Sequence, residues 1–204
     1  MTIEPGEDWG ENAPLRNDAP FFDSDAALRD HVERHRRRGA DVPPAGLIGG
    51  DLWTTMGAPN GGAERLRSAA ARTAPIDIVS VLVDGRQFWF ASHLVARKSW
   101  WKGTVLVVLN AEWLGDWDLG PRSHPNDGRV DVYETTMSLS QRLKARRRLA
   151  TGTHLPHPDI SSRRVKAFQT TLEPSLDVYL DGVSVGEGKN ITVRVEPDAL
   201  TVTV

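Results

Sequence analysis

The sequence of 204 residues contains no cysteine, which excludes disulfide bonds, thiolate catalysis and cysteine-based zinc sites. It also lacks a charge excess, with 25 basic and 27 acidic residues, so nothing in the overall charge indicates binding to nucleic acid. No apolar run approaches the roughly 20 residues that a membrane-spanning helix needs. The first residues lack a cationic start followed by an apolar run. These absences predict a cytoplasmic protein.

The chain changes character twice, which predicts three regions. Residues 1–20 combine acids and prolines with few apolar side chains and are expected to form a disordered arm. Residues 21–75 are predicted to form short helices and an apolar strand, joined by glycine-rich turns. Residues 76–204 contain many short strands punctuated by turns. The predicted fold class is α+β, with a β-sandwich-rich C-terminal domain behind a truncated α/β N-terminal portion.

Two features of the α/β portion are candidates for a binding site. A helix is predicted over residues 25–38, and Asp25 can cap its N-terminus. Gly49, Gly50 and Asp51 follow an apolar strand and precede a second short helix. Such a glycine-rich turn can present backbone N–H groups to phosphate, although ordinary connections have the same composition.

Residues 124–132, His-Pro-Asn-Asp-Gly-Arg-Val-Asp-Val, combine a turn with the start of a strand. Asp-Gly favours the positive φ of a hairpin turn, and Val130 and Val132 would then share one face. Taken alone, the stretch is either a hairpin turn or a cation-binding turn beside an active site, and the local pattern favours the hairpin.

A basic helix is predicted over residues 138–149, with five Lys or Arg side chains between positions 142 and 148. Its basic face is interpreted as solvated. The alternative is contact with an anionic membrane surface, with Trp100 and Trp101 as interfacial anchors. Nucleic acid is not expected as a partner, because the total charge is balanced. Further along the chain, Asp181-Gly182 is interpreted as a hairpin turn.

Four segments, in order, resemble motifs of the lipid kinases of the diacylglycerol kinase type, which include the bacterial YegS-like lipid kinases. Residues 122–132 resemble the segment hPNDGxLDV, and residues 151–158 resemble tGxHxxHP. Residues 178–182 resemble the strand and turn that carry DGE, and residues 195–202 resemble the closing strand vxPxaLxvl. Because the four segments keep their order and lie within about 80 residues, the combination is specific.

The resemblance implies ATP-dependent phosphorylation of a lipid hydroxyl, and it assigns roles to particular residues. The positions of the family's nucleotide-binding loops are occupied by Asp25, Gly49, Gly50 and Asp51. A structural Mg²⁺ would be bound by the Asp127 carboxylate, with help from the main-chain oxygens of His124 and Arg129.

The departures from the family fall on the residues that perform transfer. Val183 stands where the family has the glutamate that accepts the hydroxyl proton, so Asp181 or the more distant Glu187 would have to replace it. Asp23 stands where a loop glycine would approach phosphate, and its charge would repel the anion. The family's opening strand and helices have no match here, which leaves open a partner chain that supplies the nucleotide half, or a homo-oligomer.

Two functions follow from these observations. The first is a lipid kinase that uses ATP and Mg²⁺, with activity weak or lost because the phosphate loop and the base glutamate are not kept, as in a pseudokinase. The second is a non-catalytic regulatory module that binds a lipid, an anionic membrane surface or a protein partner.

Overall fold

A sheet of eleven strands carries most of the protein in the computed structural model, which describes residues 9–204. Its strands are β1 Glu11–Asn12, β2 Phe21–Phe22, β3 Ala45–Leu47, β4 Arg72–Val83, β5 Arg86–Phe90, β6 His93–Arg97, β7 Val105–Leu109, β10 Val130–Thr135, β11 Ile160–Val165, β12 Ala167–Leu180 and β13 Val183–Thr203. A separate two-stranded sheet consists of β8 Trp113–Leu114 and β9 Trp117–Asp118. The helices are α1 Asp25–Arg36, α2 Asp51–Thr55, α3 Gly62–Leu66 and α4 Leu139–Leu149. None of these helices within residues 9–204 is long and apolar enough to cross a bilayer.

The 21-residue strand β13 lies between β4 and β12 and is antiparallel to both. Alternate side chains of a strand point to opposite faces, and Ile191 and Val193 accordingly enter one core. The pairing with β4 shifts register after Glu196, and beyond this irregularity Leu200 and Val202 enter a second core. A single strand therefore contributes to both cores of the protein.

The larger core lies in the β-rich body and confirms the predicted sandwich-rich C-terminal portion. It collects residues of β4, β5, β6, β7, β10, β12 and β13, among them the fully buried Phe90, Leu94, Leu106 and Val178. These strands are neighbours in the order β4, β13, β12, β6, β7, β10. Since the strands alternate apolar and polar positions, burial of one face follows directly from the sequence pattern.

The second core joins the α/β portion to the body. Leu28 and Val32 of α1 pack with Leu47 of β3 and Ile78 of β4 in one buried cluster. Strand β3 pairs in parallel with the end of β13, and β2 pairs with β3. Helix α1 begins at the predicted Asp25 and ends two residues earlier than predicted. Residues 21–75 and the body behind them thus share one sheet and one core.

Residues 9–20 correct the expectation of a disordered arm; residues 1–8 of that arm lie outside the described part. Strand β1 pairs with β4, and the Trp9 indole N–H donates to Pro75 O at 3.0 Å. Leu15 and Ala19 are buried and pack with Leu66 of α3. The segment has few apolar side chains, but each meets a complementary site elsewhere in the fold. Local composition carries no information about such long-range contacts.

Asp77 connects the turn of residues 124–132 to the sheet. Its side chain is almost fully buried on β4, where the carboxylate accepts hydrogen bonds from Gly128 N at 2.7 Å and Asp198 N at 3.0 Å. The Asp77 N–H donates to Pro125 O at 2.6 Å. Burial raises the pKa of Asp77, and the two N–H donors oppose that rise. The carboxylate therefore orients the most family-like stretch of the sequence.

We expect Asp77→Ala to lower the free energy of unfolding by about 2–4 kcal/mol, because two backbone N–H groups would lose their buried acceptor. Denaturant unfolding followed by circular dichroism measures this loss. Asp84→Ala is the matched control, since the Asp84 carboxylate also accepts two backbone N–H groups, from Lys189 and Asn190, but at an exposed turn. Equal losses in the two variants would contradict a special role for the buried site.

Candidate active site

The Asp25 side chain at the start of α1 is hydrogen-bonded to the backbone at the start of α2. Its carboxylate is buried and accepts hydrogen bonds from Asp51 N at 2.7 Å and from Leu52 N at 3.2 Å. Gly50 has a φ of 98°, and a Cβ at that position would lie 2.5 Å from Asp25 Oδ1. Only glycine therefore permits this approach, and the glycine-rich turn brings the Asp25 and Asp51 carboxylates together.

His93 at the start of β6 completes the cluster. Its ring is 4% exposed, and Nδ1 lies 3.5 Å from Asp51 Oδ2 and 3.1 Å from Ser92 Oγ. The other Asp51 oxygen accepts a hydrogen bond from Gly115 N at 2.8 Å. One ligand atom from each of Asp25, Asp51 and His93 lies within 4.8 Å of the other two. We call these three residues the carboxylate–histidine cluster.

Asp181 holds His93 in place from the hairpin between β12 and β13. Its buried carboxylate accepts three backbone N–H groups, from Ala91 and Ser92 at 2.9 Å and from His93 at 3.0 Å. The Asp181 N–H donates back to His93 O at 2.9 Å. Asp181 has the left-handed φ of 47° that a tight hairpin requires, in agreement with the predicted turn. These bonds fix the start of β6 and hence the position of the imidazole.

Burial dominates the electrostatics of this region. The pKa of Asp25 is raised to about 8, first by burial and then by the neighbouring Asp181 charge. Burial raises the pKa of Asp181 to about 6, against the effect of its three N–H donors, and also raises the pKa of Asp51. Burial lowers the pKa of His93 to about 4, so the imidazole is neutral at physiological pH. A neutral imidazole can accept a proton or bind a metal.

Gly49 and Gly50 both face the backbone of the segment before α1. A Cβ on Gly49 would lie 2.4 Å from Asp23 O, just as one on Gly50 would meet Asp25. Close packing between the two loops thus accounts for both glycines. Their assignment to nucleotide binding stays a prediction.

The two candidate bases have different surroundings. The Asp181 oxygens face the three N–H donors and are almost fully shielded from solvent. Glu187 is exposed on β13, where it pairs with Lys98 Nζ at 2.7 Å and accepts a hydrogen bond from Ser175 Oγ at 3.0 Å. These partners lower the pKa of Glu187. Neither carboxylate is free to accept a proton without losing an existing bond.

At the predicted Mg²⁺ site, the Asp127 carboxylate is already paired with the side chain of Arg164. One oxygen of the Asp127 carboxylate accepts the Arg129 N–H at 2.9 Å, and the other pairs with the Arg164 guanidinium. Burial and the nearby Arg164 charge lower the pKa of His124. A hard cation would compete with Arg164 for the same oxygen, so the residues present fit Mg²⁺ poorly at this position.

An apolar cavity of about 100 Å³ lies beneath α4. Its walls include Trp100, Trp117, Val107, Tyr133, Leu149 and Ile160. Arg142 of α4 was expected on a solvated face but is buried, and its guanidinium donates to Met137 O, Trp100 O and Gly103 O. These three bonds hold α4 over the cavity.

A second cavity, of about 500 Å³, adjoins the first. It shares the lining residues Trp100, Trp117 and Arg146 with the apolar cavity, and its lining also includes His93 and Gly115. His93 of the carboxylate–histidine cluster therefore faces a cavity next to the apolar one.

The sequence analysis missed three residues that shape the candidate site and its surroundings. His93 stands in an ordinary strand pattern, and Arg142 is one of five similar cations in its helix. Asp77 had the best signal, as a single acid between the apolar Ile76 and Ile78. Burial of an acid at such a position is costly unless the carboxylate is hydrogen-bonded, so the pattern indicates a buried acid with hydrogen-bond donors around it.

A family model described as the YegS C-terminal NAD kinase beta sandwich-like domain matches residues 67–204, more than half of the chain. The chain belongs to this YegS family. The match begins just before β4 and covers the body with both cavities, whereas Asp25 and Asp51 precede it. None of the curated proteins is similar enough to count as a match.

The YegS-family chain also shares its fold with solved structures from Bacillus anthracis str. Sterne that are assigned as diacylglycerol kinases. One is 15% identical with a TM-score of 0.67, and the alignment covers 89% of this chain and 76% of the other. Another is 16% identical with a TM-score of 0.55, covering 79% of this chain and 66% of the other. The first alignment extends the likeness into the α/β portion. At such low identity, the likeness establishes the fold and not the activity.

We expect the free energy of unfolding to fall as the pH rises from about 6.5 to about 8 in the presence of a chelator. The raised pKa of Asp25 means that the folded state holds a proton that the unfolded chain has already released, so stability is lost as that proton leaves. Below pH 6.5, the lowered pKa of His93 makes the free energy of unfolding rise as the pH rises, which opposes the effect of Asp25. The expected loss is about 1–2 kcal/mol.

Urea unfolding at several pH values measures this dependence, and Asp25→Asn should flatten it because the amide does not titrate. Asp41→Asn removes a carboxylate at an exposed position and should leave the slope unchanged. The same slope in Asp25→Asn and in the native protein would contradict the assignment to Asp25.

Proposed function

We propose that this protein binds a lipid whose acyl part occupies the apolar cavity beneath α4 and whose hydroxyl end reaches the carboxylate–histidine cluster, and that phosphoryl transfer to this lipid is weak or lost. The observation that carries the proposal is a pair of adjoining cavities, which share three lining side chains and the second of which is lined by His93. An amphiphile needs such a site, with apolar walls along its length and polar groups at one end.

The apolar cavity can supply binding energy without any specific polar contact. Burial of each methylene group contributes about 0.8 kcal/mol, so a chain of several methylenes that leaves water is held firmly. Trp100 and Trp117 meet at a ring-centroid distance of 5.4 Å with nearly perpendicular planes, and Arg97 lies 4.6 Å from the Trp100 ring. These contacts keep the rings in place around the space that the acyl chain would fill.

The surface around α4 supports delivery of the lipid from an anionic membrane. Leu139 is 55% exposed, Leu143 is 48% exposed and Trp101 is 39% exposed. Arg146 lies 5.3 Å from the centroid of the Trp101 ring, and further cations follow on the same helix. Apolar side chains flanked by cations favour the headgroup region of an anionic bilayer.

Weak or lost transfer is proposed because the residues at the polar end suit ATP poorly. In this proposal, the carboxylates of the cluster lie where the phosphate oxygens of ATP would approach, and ionised carboxylates would repel those oxygens. ATP would need Mg²⁺ to neutralise its phosphates, and Asp51 is a carboxylate that could contribute to holding this ion. Val183 cannot accept a proton, and the Asp181 oxygens already accept three backbone N–H groups.

Residual kinase activity is the second candidate function, and Asp25 is the observation that favours it. The Asp25 carboxyl group, whose pKa is raised to about 8, holds a proton in most molecules at neutral pH, and its deprotonated fraction, which grows as the pH approaches 8, is a strong general base. Asp25 belongs to the same cluster as His93, which lines the second cavity.

Ala145→Phe should weaken binding of dioctanoylglycerol by at least about tenfold, because Ala145 lines the apolar cavity and the larger ring would fill it. Tryptophan fluorescence, titrated below the micellar concentration of the lipid, measures the affinity. Ala150→Phe is the matched control, since this exposed residue follows α4 outside the cavity lining. Equal affinity in both variants, or no binding by the native protein, would overturn the proposal.

Incubation with radiolabelled ATP, Mg²⁺ and diacylglycerol vesicles tests the transfer step separately. We expect turnover close to background in the native protein. Any residual turnover should disappear in Asp25→Asn and persist in Glu187→Gln. Robust turnover that survives Asp25→Asn would contradict both the proposed loss of activity and the role of Asp25.

A further inference from the structure

The carboxylate–histidine cluster has the composition and the spacing of a metal site. His93 Nδ1 and Asp51 Oδ2 are 3.5 Å apart. Two ligand atoms on a tetrahedral ion with bonds of about 2.0–2.1 Å lie roughly 3.4 Å from each other. The Asp25 carboxylate contributes the third ligand atom, within 4.8 Å of the other two. Small side-chain adjustments would bring all three to coordination distance.

Within residues 9–204, no Lys or Arg side chain forms an ion pair with Asp25, Asp51 or Asp181. Arg29 is the cation that acts on Asp181, but its guanidinium donates to Leu180 O and to Asp30. Carboxylates removed from water are costly unless they are paired or coordinate a metal, and burial keeps a proton on Asp25 near neutral pH. A divalent cation would replace that proton and compensate the charge of the acids.

We propose that Asp25, Asp51 and His93 bind one divalent transition-metal ion, for which Zn²⁺ is the best fit. An imidazole ligand favours Zn²⁺ and related ions over Mg²⁺, which prefers oxygen ligands in an octahedral arrangement. Three protein ligands leave a fourth position open to water. His93 also lines the second cavity, so this open position is on a route to solvent.

The residues around the three ligands hold them ready for the ion. Asp51 is fixed by the Gly115 N–H, and Asp25 is fixed by the first N–H groups of α2. The backbone of His93 is held by Asp181, and its ring is next to the Ser92 hydroxyl. Such supporting hydrogen bonds orient ligands before the metal arrives, which strengthens binding. The metal site does not depend on whether a lipid occupies the cavities.

Zn²⁺ alone, titrated calorimetrically into chelator-treated protein without a histidine tag, tests the proposal. We expect one ion per chain, with affinity reduced by about 100-fold or more in His93→Gln and in Asp51→Asn. His154→Gln is the matched control, because His154 is also a buried histidine but lies outside the cluster. It should bind Zn²⁺ like the native protein. Mg²⁺ should bind weakly, with little change in His93→Gln.

Circular dichroism and the thermal midpoint establish that each variant is folded. Pulsed electron paramagnetic resonance of the native protein with Mn²⁺ does not depend on any variant, and it should show coupling to an imidazole nitrogen. Native Zn²⁺ affinity in folded His93→Gln, or no Zn²⁺ binding by the native protein at several hundred micromolar, would overturn the proposal. Zn²⁺ binding without lipid binding would leave this site standing while the proposed function fails.

Discussion

The three backbone N–H groups that converge on the Asp181 carboxylate hold the functional half of this structure together. They join the β12–β13 hairpin to the start of β6 and thereby place His93 beside Asp51. A buried carboxylate needs several donors, because its desolvation is costly. The contact between the hairpin and the start of β6 is therefore specific, because another arrangement of the hairpin would leave both the carboxylate and the N–H groups without partners.

Buried carboxylates perform the same task at two other places. Asp25 links α1 to α2, and Asp77 links β4 to the turn before β10 and to the bulge in β13. Each joins segments that are far apart in the chain, so each fixes a loop that apolar packing alone would leave free to shift. The residues that resemble nucleotide-binding and catalytic positions of a lipid kinase therefore have structural roles that would survive the loss of transfer.

The match to the YegS family covers the body of the protein, and the body contains most of the residues that line the two cavities. Asp25 and Asp51 precede the matched residues and lie in the α/β portion. The family match therefore concerns the part of the chain that lines the cavities, and it does not reach two members of the carboxylate–histidine cluster.

Much of the fold could be predicted from local patterns. Period-two alternation identified strands, and Asp25 was the predicted start of α1. Two Asp-Gly pairs, at residues 84–85 and 181–182, form the predicted hairpins. The hairpin predicted at Asp127-Gly128 was wrong, because β10 pairs with β7 and β11 and not with the strand that precedes the turn. The arm at residues 9–20, the burial of Arg142 and the participation of His93 could not be predicted, because each depends on partners far away in the chain. The guanidinium of Arg142, for example, meets carbonyl groups about 40 residues earlier as well as one close by.

The sequence by itself determined the lineage and the strand-rich body, since these follow from side-chain types at given positions. Only the tertiary structure decided that two acids from separate helices and a histidine from a strand form one cluster beside a cavity. The physical reason is that a linear pattern records which residues can be buried, whereas convergence depends on hydrogen bonds between segments that the pattern does not connect.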